Sequence, residues 1–194
     1  MYTDNKEKIL ELMLKEPNET HTATAISNKL NLTRQGTWKI LSHLEKEEII
    51  KIIPVSKTKT STSIIKLNYN NPITEKLLSL ILTKESLKYK RWRVNFENLE
   101  NKAYFTILFG SILTKLKEAN DIDLITVSDK KNFKFIEEEI IRVQKTQLKK
   151  IHFIDLTKEE LREELKENIA YVDAVRKGII LYGQDNFIEF IKNL

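Results

Sequence analysis

Four residues in the second half of the sequence have types and spacing that suit phosphate and metal chemistry: Gly110, Ser111, Asp121 and Asp123. A glycine lets the backbone approach a phosphate closely, and a serine N–H at the start of a helical turn is a ready anion site. Asp121 and Asp123 open an apolar run that predicts a strand, in which side chains two residues apart point to one face. Two carboxylates that close repel each other unless a hard divalent cation neutralises them. The spacing therefore indicates a site for a nucleoside triphosphate and its metal, whereas either half alone is typical of a solvated strand edge or a simple turn.

The same pattern, an apolar strand ending in Gly-Ser, a spacer, and then Asp-x-Asp with apolar residues, resembles the nucleotidyltransferase superfamily of the DNA polymerase beta type. It is most similar to the minimal archaeal and bacterial members of that superfamily. The resemblance covers residues 103 to 194, and residues 175 to 183 look like the segment with a leucine-tyrosine-glycine ending near the end of such domains. It implies an archaeal source and a small mixed-sheet α/β domain over residues 101–194.

The resemblance also implies which residues hold the ligands. Mg²⁺ would bind Asp121 and Asp123, and the phosphates of the nucleotide would lie at Gly110, Ser111 and Lys115. The reaction would transfer a nucleoside monophosphate from the triphosphate to a hydroxyl acceptor, for which a partner protein and an aminoglycoside are both precedents in the family.

The sequence departs from the family pattern at two places. The residues just after Ser111 include no second glycine, which alters the expected phosphate-binding turn. The family also carries a third carboxylate near the start of the next strand, which we predict over residues 150–156. Asp155, two residues before the helix-capping pattern that starts at Thr157, fits a second, later acid of the family, so His152 occupies the catalytic position. His152, or otherwise Asp155, would then act on the attacking hydroxyl.

Composition limits the class of protein. The 194 residues are 41% hydrophobic and 31% charged, which is typical of an ordinary globular protein with one or two domains. The sequence contains neither an apolar run of membrane-spanning length nor the apolar region of a signal peptide, so we expect no membrane partner and a cytoplasmic location. The absence of cysteine excludes disulfides, thiolate catalysis and cysteine zinc sites.

The first 70 residues predict a second, separate domain. Helical patterns cover residues 4–15, 22–30 and 33–46, and two β-branched runs at residues 49–53 and 63–67 flank a basic loop without acids. Three helices followed by a hairpin resemble the winged helix-turn-helix domains of archaeal and bacterial regulators. The whole chain is thus predicted to be α+β, with a winged helix-turn-helix domain over residues 1–70, a helical linker over 71–100 and the nucleotidyltransferase-like domain.

Double-stranded DNA is the expected partner of the first domain. In such domains the third helix enters the major groove and the wing meets phosphates. We assign Arg34, Gln35, Thr37 and Lys39 to the groove, Lys57 and Lys59 to the wing, and Trp38, Leu41 and Leu44 to the core. The basic excess of the front half favours a polyanion, with 11 lysines and arginines against 8 acids in residues 1–70. A winged helix that contacts protein instead is the alternative.

The linker carries two features that allow more than one interpretation. Asn71 and Pro72 start a helix over residues 72–88, and its run from Leu77 to Leu82 is apolar nearly all round, which predicts burial between the domains or against a second subunit in a homodimer. Residues 88–93 form a basic and aromatic cluster that would either contact nucleic acid or cover apolar surface with its basic stems.

Two functions follow from these patterns. The first is a DNA-binding regulator that binds a nucleoside triphosphate with Mg²⁺ and transfers a nucleoside monophosphate. The alternative is a transcriptional regulator whose nucleotidyltransferase-like domain is inactive and serves for nucleotide sensing or dimerisation.

Overall fold

Two compact units divide the chain between Ile81 and Leu82. The structure is a computed structural model that describes residues 2–56 and 62–194. Within those ranges, each helix is either too short or too polar to cross a membrane. Residues 71–100, predicted as a linker, are thereby shared between the first unit and the second.

The first unit begins with three helices and a two-stranded antiparallel hairpin, as the sequence predicts. The elements are α1 (Tyr2–Lys15), α2 (Ala23–Lys29), α3 (Arg34–Lys46), β1 (Ile50–Pro54) and β2 (Ser63–Leu67). The hydroxyl of Thr22 accepts the N–H of Ala25, and the hydroxyl of Thr33 accepts the N–H of Gly36. Both helices therefore begin where a threonine satisfies a backbone N–H that the helix itself leaves unpaired.

The core of the first unit is made by one face of each helix and of the hairpin. Leu10, Ile26, Leu41 and Ile65 are among its fully buried side chains. Burial of each such side chain contributes about 1.5–3 kcal/mol relative to exposure. This core fixes the rotation of α3 about its axis, and with it the side chains that α3 presents to solvent.

The second unit is built on a four-stranded mixed sheet in the order β5-β4-β3-β6. β3 is antiparallel to both β4 and β6, whereas β4 and β5 are parallel. The strands are β3 (Phe105–Phe109), β4 (Asp121–Val127), β5 (Lys150–Leu156) and β6 (Ile179–Tyr182). This mixed α+β architecture confirms the predicted fold class.

Helices connect and cover the strands of the second unit. They are α5 (Lys90–Asn95), α6 (Phe133–Gln144), α7 (Lys158–Glu167), α8 (Ile169–Lys177) and α9 (Gln184–Lys192). α6 carries the chain from β4 to the parallel β5 and buries Ile136 and Ile140 in one cluster with Ile122 and Leu124 of β4. Apolar contact with α6 thus supports the face of β4 that carries Ile122 and Leu124.

The helix that contains the division, α4 (Pro72–Ser86), begins as predicted, because the Asn71 side chain accepts the N–H of Ile73. Its burial is one-sided, and its predicted burial between the domains or against a second subunit stays a prediction. Leu78 is buried, but Ile73 and Leu80 are 63% and 50% exposed. One side of α4 is therefore exposed to solvent, although the helix is apolar nearly all round.

The basic and aromatic cluster after α4 covers apolar surface. Trp92 is buried and lies 6.4 Å from the ring of Phe96, and the guanidinium of Arg93 lies 4.4 Å from the centre of the Tyr182 ring. A buried indole cannot stack on a nucleic-acid base, so this segment serves the core of the second unit.

Candidate functional site

Strand register brings Asp121, Asp123 and His152 together on one face of the sheet. Asp123 lies opposite His152 in the parallel pairing of β4 with β5, and Asp121 lies opposite Lys150. The Nδ1 atom of His152 is 3.3 Å from Oδ2 of Asp121 and 3.7 Å from Oδ1 of Asp123. Residues far apart in sequence thus form a cluster at the start of both strands.

The turn after β3 borders this cluster. Phe109 pairs with Asp123, and Gly110 follows with a φ of 81°. A Cβ at Gly110 would overlap the Asp123 carboxylate, so a glycine is needed both for the left-handed backbone and for the space. The turn continues as a single 3-10 turn from Ser111 to Leu113, with the N–H of Lys115 donating to the Ser111 carbonyl. The expected helix start is therefore too short to supply the partial charge of a helix N-terminus.

The electrostatics of the cluster favour a bound cation. Burial, followed by repulsion from Asp121, raises the pKa of Asp123, and His152 opposes that rise. The side chains of Asp121, Asp123 and His152 are 32%, 23% and 48% exposed. The two carboxylates therefore destabilise each other when both are ionised, and a positive charge between them would remove that penalty.

The three side chains fit a divalent cation. One ligand atom from each of Asp121, Asp123 and His152 lies within 4.8 Å of the other two. Carboxylate oxygens and an imidazole nitrogen are both common metal ligands in proteins. The glycine at position 110, whose missing Cβ leaves room for the Asp123 carboxylate, keeps this arrangement open.

Asp155 does not belong to this cluster, and its assignment as a catalytic residue is wrong. It lies three positions after His152 on the same strand, and side chains an odd number of residues apart point to opposite faces. On its own face it accepts hydrogen bonds from Oγ1 of Thr126 at 2.8 Å and Oγ of Ser128 at 3.2 Å. Burial raises the pKa of Asp155 and these hydrogen bonds lower it. Asp155 is therefore a structural carboxyl group that joins two strands.

Two lysines bear on the proposed contact with phosphates. Lys115 is exposed and lies 3.5 Å from the carboxylate of Glu118, and its contact with a nucleotide stays a prediction. Lys150 was missed by sequence reasoning. It is exposed and shares a face with Asp121 through strand pairing. Its position two residues before His152 in a strand was the available signal.

Helix α3 exposes three of the four residues assigned to the major groove. Arg34, Gln35 and Lys39 are exposed, but Thr37 is 0% exposed, so its assignment to the groove is wrong. The core face of α3 consists of Thr37, Ile40, Leu41 and Leu44. Trp38, predicted to face the core, is only partly buried. One residue along a helix is a rotation of about 100°, which is enough to exchange these two positions.

Further exposed residues lie on α3 and on the hairpin. Ser42 and Lys46 are exposed and continue the stripe of Gln35 and Lys39 by helical spacing. On the hairpin, Lys51 pairs with Lys66 across the two strands, and both are exposed. Like charges in such a pair repel each other, and a phosphate would relieve that repulsion. The predicted wing contacts Lys57 and Lys59 lie outside the described residues.

Comparison with known proteins bears on the first unit. Residues 3–51 match a family model described as "Winged helix-turn-helix DNA-binding". Among solved structures, the heme sensor protein PefR from Streptococcus agalactiae in complex with heme matches at 11% identity over 76% of each chain. Its TM-score of 0.36 is too low to support an argument. No curated protein matches the chain. The first unit is therefore a winged helix-turn-helix domain of the DNA-binding type.

Proposed function

We propose that this protein is a cytoplasmic DNA-binding regulator whose second unit binds a nucleoside triphosphate with a divalent cation and slowly transfers its nucleoside monophosphate. The observation that carries the second half of this proposal is the convergence of Asp121, Asp123 and His152 beside the left-handed turn at Gly110. The mixed sheet and the position of the cluster at the strand starts support this proposal, because the resemblance to minimal nucleotidyltransferases implies both.

In the proposed reaction, the oxygen of an acceptor hydroxyl forms a bond to the α-phosphorus. The bond from that phosphorus to pyrophosphate breaks, and pyrophosphate leaves. A bound Mg²⁺ would neutralise the charge that develops on the phosphate oxygens. Asp121 and Asp123 hold the cation, the backbone at Gly110 and Ser111 approaches the phosphates, and Lys150 offers them a positive charge. The hydroxyl proton passes to solvent, because His152 stands where the family pattern has a third carboxylate.

The same observation supports the alternative of an inactive, nucleotide-sensing domain. A carboxylate base that accepts the proton typically raises the rate by a factor of about 10²–10⁴. With His152 at that position, nucleotide binding without turnover is the main alternative to the slow transfer that we propose.

The test is nucleotide binding by the full chain in Mg²⁺, with labelled nucleoside triphosphate and detection of pyrophosphate or self-labelling. Asp121→Asn with Asp123→Asn should remove Mg²⁺-dependent binding. Asp173→Asn is the matched control, because Asp173 is a partly exposed carboxylate that forms ion pairs on α8. Equal nucleotide affinity in wild type and double variant would exclude the site. Binding without pyrophosphate release would favour the sensing alternative.

DNA contact by α3 and the hairpin is proposed to use Gln35, Lys39, Lys51 and Lys66. Affinity for duplex DNA should fall as salt rises, because each phosphate contact releases counterions. Lys51→Ala with Lys66→Ala should weaken binding to all sequences and lower the salt slope by about one for each lost contact. Gln35→Ala should instead change the preferred sequence. Lys134→Ala, an exposed lysine of α6, is the control for a lost surface charge. Salt-independent binding would favour the protein-contact alternative.

A homodimer through α4 would suit this DNA-binding role, since dimers of helix-turn-helix domains bind two half-sites. Its support is the exposure of Ile73 and Leu80, which lie seven residues apart on one helix. Ile73→Ser with Leu80→Ser should then lower the mass measured by analytical ultracentrifugation. An unchanged mass would exclude this interface. A partner protein that supplies the acceptor hydroxyl remains the other proposed partner.

A further inference from the structure

We infer that His152 is itself a metal ligand, and that the centre formed by Asp121, Asp123 and His152 selects a first-row transition-metal ion such as Mn²⁺, Co²⁺ or Zn²⁺ over Mg²⁺. This inference deepens the proposed function, because the metal in question serves the proposed nucleotide site. It assigns His152 a role different from proton transfer to the acceptor.

The first argument is the direction of the imidazole ring. Nδ1 of His152 is the ring nitrogen nearest the two carboxylates, at 3.3 Å from Asp121 and 3.7 Å from Asp123. In a four-coordinate site with metal–ligand bonds of about 2.0 Å, neighbouring ligand atoms lie about 3.3 Å apart. These two separations, with all three ligand atoms within 4.8 Å of one another, fit ligands arranged around a single small cation.

The second argument is the donor set. Mg²⁺ prefers oxygen ligands in a near-ideal octahedron at about 2.0–2.1 Å, and an imidazole nitrogen is a poor substitute for one of them. Imidazole suits transition metals instead. Two carboxylates also balance the charge of a divalent ion, so the neutral ring of His152 completes a site of zero net charge.

The third argument is coordination number. Three protein ligands leave at least one position open, which is the pattern of catalytic rather than structural metal sites. His152 is 48% exposed, so a phosphate oxygen can approach the cluster from solvent. The strand pairing of Asp123 with His152 holds the ligands in place before a metal binds.

The experiment measures the affinity of the full chain for Mn²⁺, Zn²⁺ and Mg²⁺ by calorimetry without nucleotide, together with pulsed EPR of the Mn²⁺ form. Wild type is compared with His152→Ala, His152→Asp and His43→Ala. His43 is the matched control, because it is an exposed histidine of the first unit. His152→Ala should lower the ratio of Zn²⁺ to Mg²⁺ affinity at least about tenfold, the smaller effect known for removing a supporting group of a metal site.

His152→Asp should raise Mg²⁺ affinity, because it restores an all-oxygen donor set. The Mn²⁺ spectrum should show coupling to an imidazole ¹⁴N nucleus in wild type and in His43→Ala, and this coupling should be absent from both His152 variants. An unchanged affinity ratio in His152→Ala, or a wild-type spectrum without ¹⁴N coupling, would overturn the inference.

These readouts separate the inference from the proposed function. Nucleotide binding that requires Asp121 and Asp123 but not His152, with no ¹⁴N coupling, would leave the function standing and remove the histidine ligand. Clear ¹⁴N coupling without nucleotide binding would do the reverse.

Discussion

The DNA-binding surface and the metal cluster place their side chains in different ways. On α3 one continuous helix presents the side chains, so each position follows from a rotation of about 100° per residue. The cluster of Asp121, Asp123 and His152 joins two strands, and their parallel register decides which residues meet. On α3, a prediction that is off by one residue places Thr37 on the wrong side of the helix. On β5, Asp155 lies an odd number of residues from His152 and therefore points away from the site. The rotation of a helix and the alternation of side chains along a strand are separate constraints, and each explains one of the two wrong assignments, Thr37 and Asp155.

Replacement of a glycine should affect the two regions very differently. Gly110→Ala should lower metal affinity by at least about tenfold, comparable to loss of a group that supports a ligand. The new Cβ would displace the Asp123 carboxylate, and a φ of 81° disfavours any L side chain. Calorimetry with Mn²⁺ measures this change.

Gly36→Ala on α3 is the counterpart. Its Cβ would lie 2.9 Å from Oγ1 of Thr33, a side chain that can rotate at the loss of one capping bond. That loss, about 1 kcal/mol, is offset by the better helix propensity of alanine, also about 1 kcal/mol. DNA affinity should change little. A loss of DNA affinity in Gly36→Ala as large as the loss of metal affinity in Gly110→Ala would contradict this difference between the two glycines.

The charge of the cluster predicts a smaller effect, on stability. Because the pKa of Asp123 is raised above its ordinary value of 3.8, the folded protein binds the proton more tightly than the unfolded chain. Its ionisation therefore lowers stability as the pH rises above that value. Asp123→Asn should raise the free energy of unfolding of the metal-free protein at neutral pH, and the gain should vanish in acid, below the ordinary carboxylate range.

Chemical denaturation at pH 7 and at low pH measures this difference. A saturating divalent metal should reverse the order at neutral pH, since only the wild type binds it. A variant that is less stable than wild type in the absence of metal would contradict the electrostatic description of the cluster.

The smallest effect is expected at Thr37. Its buried hydroxyl has no hydrogen-bond partner among the described residues. Thr37→Val keeps the shape and removes a polar group whose unpaired burial costs about 1–3 kcal/mol. Stability should stay equal or rise, and DNA affinity should not change. Thermal unfolding and DNA titration test this, and a loss of DNA affinity would restore Thr37 to the groove.

Local patterns in the sequence predicted most of the elements that position both sites. Thr33 begins α3, Asn71 begins α4, and residues 150–156 form a strand, because caps and runs of β-branched residues act over a few neighbours. The candidate pair Asp121 and Asp123 was predictable for the same reason, since side chains two apart in a strand share a face. The side of α4 that is buried was not predictable, because a helix that is apolar nearly all round gives no signal of which side its neighbours cover.

The sequence by itself therefore determined the helices, the strands and the residue types of the two sites. The tertiary structure decided which residues meet. Only the pairing of β4 with β5 places Nδ1 of His152 beside the two carboxylates and Asp155 on the other face. Only packing of α3 on its core turns Thr37 inward. Both are long-range consequences of burying apolar surface on a particular side, and no window of a few residues contains that information.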